Sequence, residues 1–245
     1  MTESINIFST KEVLAEKFCE EFFFLSERFK ERKKFFNVAL SGGKTPEIIF
    51  QTLADNYAHK INWKNVRFFW GDERCVPPND PESNYGMTKK FLLDRISIPP
   101  ENVYRIFGEN NPADEVVRYQ EQFLKLFNDN IANAKFELTM LGLGDDGHTA
   151  SIFPNSLQLI SAQELFAVAE HPVTKQKRIT ATGRLINNSE KIIFFVTGEN
   201  KSSVLHEIIG RQNNYLEYPA AHIEPINGTL EWYVDKSAAS LLSKQ

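Results

Sequence analysis

The chain has 245 residues, 42% hydrophobic and 24% charged, a balance that suits a globular protein with a sizeable core and argues against disorder. Its formal net charge of -4 argues against a nucleic-acid partner, so an anionic ligand must be held by local positive groups. No apolar run approaches the ~20 residues of a membrane span, and the opening MTESINIFSTKEV lacks a basic-then-apolar signal pattern, so no membrane contact and a cytoplasmic location are expected.

The chain starts almost directly with a strand. Residues 10–34 follow, with Val13, Leu14, Phe18, Phe22, Leu25 and Phe29 at helical spacing. The run 35–43 is nearly continuous in apolar residues, as expected for a strand covered on both faces, and ends in glycines. Thr45 and Pro46 open a helix to about Tyr57, because proline suits a first helical turn. A second buried-type strand covers 66–73, a turn-rich loop 76–84, a helix 84–95 and another loop 96–106. A helix over 113–127 and a strand over 136–147 come next, then two wetter strands at 165–171 and 178–182. A strand at 191–198, a helix at 199–210 and a strand at 231–235 complete the pattern. Alternating strands and helices predict an α/β fold, with a mainly parallel sheet and helices on both faces. No repeat or low-complexity linker divides the chain, so residues 1–245 are expected to form a single domain.

In such folds ligands bind beyond the carboxyl ends of the strands, and the unusual residues of this chain cluster there. The first segment is Ser41-Gly42-Gly43-Lys44-Thr45-Pro46, between a strand and a helix. Its glycines let backbone N–H groups approach an anion at a helix N-terminus, although the same residues also suit a plain tight turn. Thr45 supplies a hydroxyl as cap or ligand. The second segment is Gly71-Asp72-Glu73-Arg74. Its charges at the end of an apolar strand are costly unless paired or functional, and Arg74 has the planar fork that suits phosphate. Asp72 is open to three roles: binding a sugar hydroxyl, pairing with Arg74, or moving a proton.

The third segment, Gly142 to Ser151, carries the one histidine in a frame of glycines and acids. His148 can exchange a proton near neutral pH, and Asp146 is placed to orient it. His59, His171, His206 and His222 lack such a frame. Ser151 has no G-x-S-x-G elbow around it, and Cys19 and Cys75 read as two reduced thiols. No pair of His or Cys stands at zinc-ligand spacing, so neither metal nor cofactor is expected. Arg178, in the basic pair that enters a strand, and Lys201, at the start of a helix, are further candidates for holding an anion. A solvated surface lysine remains the plainer reading of Lys201.

Together SGGKTP, GDERCVPPNDPESNYG, LGLGDDGHTASIFP, KRIT, GENK and PAAHIEP…EWYVD, spread from about residue 40 to 239, resemble the 6-phosphogluconolactonase family. The resemblance implies the fold of glucosamine-6-phosphate deaminases and ribose-5-phosphate isomerases, a sugar-phosphate lactone as substrate, and metal-free hydrolysis of a carboxylic ester. It implies that His148 is the catalytic histidine, to which the local reading adds Asp146. It places Arg74, Arg178 and Lys201 at the phosphate end, and Gly42 and Gly43 in the backbone loop beside the ligand; Ser41, Thr45 and Asp72 join the substrate-binding candidates from their own segments. A monomer or small homo-oligomer is expected. A deaminase-like isomerase is the rival enzyme. Deaminases carry a carboxylate five residues after the histidine, where this chain has Phe153, and a tyrosine where it has Arg74. A sugar-phosphate sensor on the same fold is the non-enzymatic alternative. Such regulators carry a DNA-binding segment ahead of the domain, for which the opening strand leaves no room.

Overall fold

The computed structural model describes residues 2–242. The strands are β1 (Thr2–Phe8), β2 (Phe36–Leu40), β3 (Val66–Trp70), β4 (Asp72–Arg74), β5 (Val103–Tyr104), β6 (Leu138–Gly142), β7 (Phe166–Glu170), β8 (Lys177–Ala181), β9 (Lys191–Val196) and β10 (Thr229–Asp235). The helices are α1 (Lys11–Glu31), α2 (Lys44–Tyr57), α3 (Asn84–Phe91), α4 (Pro112–Lys125), α5 (Gly183–Asn187) and α6 (Ser202–Gly210). Seven strands form a parallel sheet in the order β1-β10-β9-β6-β2-β3-β5. The other three form a small antiparallel sheet in the order β4-β8-β7.

Both faces of the large sheet are covered, and β3 shows how. Successive strand residues point to opposite faces. Phe68 meets Phe22 of α1 at 6.4 Å between ring centroids, while its neighbour Phe69 meets Phe123 of α4 at 5.2 Å. All five residues of β2 are buried for the same reason. Helix α1 starts where the side chain of Thr10 accepts the N–H of Val13 at 3.3 Å. It buries Leu14, Phe18, Phe22 and Phe29, a stripe spaced for one helical face. Helix α4 starts at Asn111, whose side chain accepts the N–H of Ala113 at 3.0 Å, with Pro112 at the first helical position.

Some expectations change. The run 66–73 is two strands rather than one, because the chain leaves the large sheet at Gly71. That residue donates its N–H to Leu40 at 2.9 Å and accepts from Ala181 at 2.6 Å, which hands Asp72–Arg74 to the second sheet. The expected helix 84–95 stops at Phe91 and resumes as a 3-10 turn over Leu93–Arg95. The expected loop 96–106 contributes β5, two residues paired to β3 at the sheet edge. Helix α5 is too short to show a periodic signal, and local pattern gave no sign of it.

Candidate active site

From β2 the sheet grows through β3 to β5, and from β6 it grows the other way through β9 to β10. The strand order therefore reverses between β2 and β6, the crevice where ligands lie in open α/β sheets. The loops leaving these two strands, with those leaving β3 and β9 and the face of the small sheet, enclose a cleft of about 220 Å3. Ser41, Gly42, Gly43, Asp72, Arg74, His148, Arg178 and Lys201, all singled out from sequence, line it. Asp146 stands behind His148. Thr45 is turned aside, its hydroxyl 2.8 Å from that of Thr197.

The β6 loop is built to hold one imidazole. His148 Nδ1 lies 2.5 Å from Asp146 Oδ1, and the same oxygen accepts the backbone N–H of His148 at 3.1 Å. Burial works against the Asp146 charge, but the hydrogen bond and charge of His148 outweigh it and hold the carboxyl down at about 2. Gly144 donates its N–H to the carbonyl of His148 at 2.8 Å, which closes the loop. A Cβ on Gly144 would collide with the ring of His148 and the carboxylate of Asp146, so this backbone is the floor on which the pair rests. Gly147, at φ +75, lies under the ring of Tyr218, and its carbonyl accepts the N–H of Ala220 at 3.0 Å. Thr149 donates its hydroxyl to the carbonyl of Gly142 at 3.0 Å. Ala150, at φ 48, holds a left-handed conformation unusual for a residue with a side chain, in the turn where Ile152 N–H reaches Thr149 at 2.9 Å.

At the other end Arg74 and Arg178 face each other directly across β4 and β8. Like charges in register destabilise a sheet pair unless something else uses them. Burial first, then Arg74, pushes the Arg178 guanidinium below its ordinary value. Arg74 donates one Nη1 bond, at 2.5 Å, to the carbonyl of Glu82. Among the described residues, the buried Nε atoms of both arginines have no hydrogen-bond partner.

Asp72 and Glu73, adjacent in sequence, have different work. Buried Glu73 accepts the N–H groups of Arg74, Asn84 and Tyr85 at 2.7–2.8 Å and the Ser83 hydroxyl at 3.1 Å. It anchors the start of α3, and burial pushes its carboxyl up. Asp72 accepts the Ser151 hydroxyl at 2.6 Å and an Asn84 amide N–H at 3.4 Å. Asn84, at the first position of α3, also donates to the carbonyl of Asp72 at 2.9 Å and fills the space a Cβ on Gly42 would need. Asp72 thus ties the β3, β6 and α3 segments together and is no ion-pair partner of Arg74.

Lys201, in a 3-10 turn before α6, pairs with Asp145, whose other partner is the Asn200 amide at 2.8 Å. Asn84, Leu143 and Ala150 also line the cleft without having been singled out. A serine-asparagine step before a helix was the available signal for Asn84, and it reads equally as an ordinary cap. Phe153 is the other surprise. Its buried ring lies 4.8 Å from that of His148 and 5.2 Å from that of His171, with the Arg178 guanidinium 5.6 Å from its centroid.

The chain has close relatives. Over 207 residues the chain is 47% identical to the 6-phosphogluconolactonase of Haemophilus influenzae, covering 84% of this chain and 87% of the relative. The solved 6-phosphogluconolactonase of Trypanosoma brucei superimposes with a TM-score of 0.85 at 25% identity, over 99% of both chains. A monomeric glucosamine-6-phosphate deaminase shares the fold, with a TM-score of 0.78 at 19% identity over 98% of this chain and 100% of the other. The family model of glucosamine-6-phosphate isomerases and 6-phosphogluconolactonases matches residues 9–232, and the chain belongs to that family.

Proposed function

We propose that this cleft hydrolyses 6-phospho-D-glucono-1,5-lactone to 6-phosphogluconate, the second step of the oxidative pentose phosphate pathway, and that residues 1–245 form one catalytic domain. One observation carries the reading. A histidine locked onto a carboxylate and two arginines that face each other in register line the same cleft. The first pair moves a proton, and the second binds an anion fixed to the same small molecule.

In this scheme Arg74 and Arg178 hold the 6-phosphate, with Lys201, which lines the same cleft, as a further cation. Because Asp146 occupies Nδ1, the nitrogen of His148 free for chemistry is Nε2. Nε2 takes a proton from water as the water oxygen bonds to C1. Among the described residues, the N–H groups of Gly42 and Gly43 have no protein acceptor, and they suit the oxyanion that forms on C1. The C1–ring oxygen bond then breaks, and the ring oxygen takes the proton from His148. Asp146, ionised at any pH well above 2, stabilises the imidazolium between the two transfers. Asp72 keeps the frame in place. Phe153 supports this reading over deamination, since an apolar ring lies against His148 at the position where the deaminases carry a carboxylate.

Turnover of freshly made lactone, measured beside glucosamine 6-phosphate, tests the assignment. The lactone is expected to be consumed and the amino sugar left unchanged. Substituting His148→Ala should lower kcat by roughly 10²–10⁴, the usual worth of a positioned acid–base group, with little change in KM. Near-full activity in that variant refutes the proton-transfer role.

A further inference from the structure

The scheme above leaves unused one histidine, His171, that stands close to Arg178 and just outside the residues lining the cleft. His171 follows β7, and its N–H donates to the carbonyl of Gln176 at 3.0 Å as the chain turns into β8. Across the small sheet Ala169 pairs with Arg178, which pairs with Arg74. Alternation along a strand puts His171, two residues beyond Ala169, on the same face as both arginines. Its ring and the Arg178 guanidinium meet the same Phe153 ring.

The tautomer is set locally. His171 Nδ1 accepts the N–H groups of Val173 and Thr174, each at 3.2 Å, so the proton of the neutral ring is on Nε2. Burial, then the charge of Arg178, keeps the ring below the ordinary histidine value and favours this neutral form. A phosphate monoester has three non-bridging oxygens, one more than the two opposed arginines meet with a single contact each. A neutral donor serves the third without placing another full positive charge beside two opposed guanidiniums.

We infer that His171 is a third donor of the phosphate seat, its Nε2–H binding the phosphate oxygen that Arg74 and Arg178 leave free. The inference rests on the proposed lactonase reading and adds a substrate-binding residue to it.

Two variants separate binding from support of the turn. In His171→Asn the side-chain oxygen can still accept from Val173 and Thr174, but no distal donor remains. In His171→Gln the amide N–H groups extend to the region of Nε2. With the phosphorylated lactone, His171→Asn is expected to raise KM about tenfold, equivalent to about 1.4 kcal/mol, with kcat nearly unchanged. His171→Gln should recover most of that loss. Neither variant should change turnover of the unphosphorylated lactone. An unchanged KM in His171→Asn, or an equal loss on both lactones, overturns the assignment. Calorimetric titration with inorganic phosphate keeps the two readings apart. A parent protein that fails to open the lactone, yet binds phosphate in a His171-dependent way, overturns the reaction and keeps the seat. A parent that turns over lactone, with phosphate binding indifferent to His171→Asn, does the reverse.

Discussion

The two ends of the cleft are built on opposite plans. At the histidine end the polar groups described are matched within the protein: Asp146 with His148, Gly144 with the His148 carbonyl, Thr149 with Gly142. At the arginine end two like charges stand in register and keep buried donors without partners. The first region fixes the angle of one ring, and a fully connected network gives that rigidity. The second leaves hydrogen-bonding capacity unmet among the described residues, at a cost of about 1–3 kcal/mol for each orphaned group. The difference explains why the histidine segment is dense in glycine while the arginine end lies on a regular sheet. A ring resting on backbone needs Cβ atoms removed, whereas a forked cation needs only the correct strand face.

This contrast can be broken most severely by adding one methyl group. The Gly144→Ala change places a Cβ against the His148 ring and the Asp146 carboxylate. Displacing a reacting group by about 1 Å can lower the rate by 10², so kcat is expected to fall by about that factor or more, with phosphate affinity retained. Steady-state kinetics and a phosphate titration on the same variant check it. Unchanged kcat would mean that the floor under the imidazole tolerates movement.

The arginine end should respond to subtraction and only on phosphorylated substrate. Each charge-assisted bond contributes roughly 1.5–3 kcal/mol, so Arg178→Ala or Arg74→Ala should lower kcat/KM by about ten- to a hundredfold. Slow hydrolysis of the unphosphorylated lactone should be barely altered, because variant and substrate remove the same contact. An equal loss on both lactones moves that arginine from the phosphate to the chemistry or the fold. Lys201→Ala should have a smaller effect than either. Its ammonium already has Asp145 as a partner, whose side chain is 69% exposed, and exposed pairs are worth only about 0–1 kcal/mol. Competition assays with phosphorylated and free lactone rank the three variants.

The smallest effect is expected at the opposite end of the sheet. Glu137, just before β6, accepts the N–H of Asn37 at 2.8 Å, and burial raises its carboxyl to about 7 from an ordinary 4.5. A carboxyl that binds its proton more tightly when folded favours the fold at low pH, and loses that contribution as pH rises from about 4.5 through 7. Replacement by glutamine keeps an acceptor and removes the titration. Glu137→Gln should therefore melt higher than the parent at pH 8, differ less at pH 5, and leave kcat and KM unchanged at both ends of the cleft. Parallel melting curves in the two proteins across that range would show that Glu137 does not couple folding to pH.

The residues at the cleft were legible to different degrees. His148 and Asp146 stand in one short loop whose glycines advertise a backbone task, so local pattern was enough. Asp72 and Glu73 could not be separated, because their roles depend on Ser151 and Asn84, which come from other segments. Thr45 read as a cap or a ligand because its hydroxyl stands beside the glycine turn, and its contact with Thr197 depends on how β9 ends beside α2. His171 carried no local frame at all. Its place beside the arginines comes from strand register and from the Phe153 ring.

The amino-acid sequence by itself determined the alternation of buried strands and helices and the concentration of glycines, acids and cations at strand ends, since hydrophobic period and backbone freedom are written locally. It also carried the family, through motifs spread along the chain. Only the tertiary structure decided that Gly71 hands Asp72–Arg74 to a second sheet, and that Arg74 then faces Arg178 in register. The physical reason is that pairing between strands about a hundred residues apart is selected by global packing. No short stretch of sequence states which distant face an arginine will share.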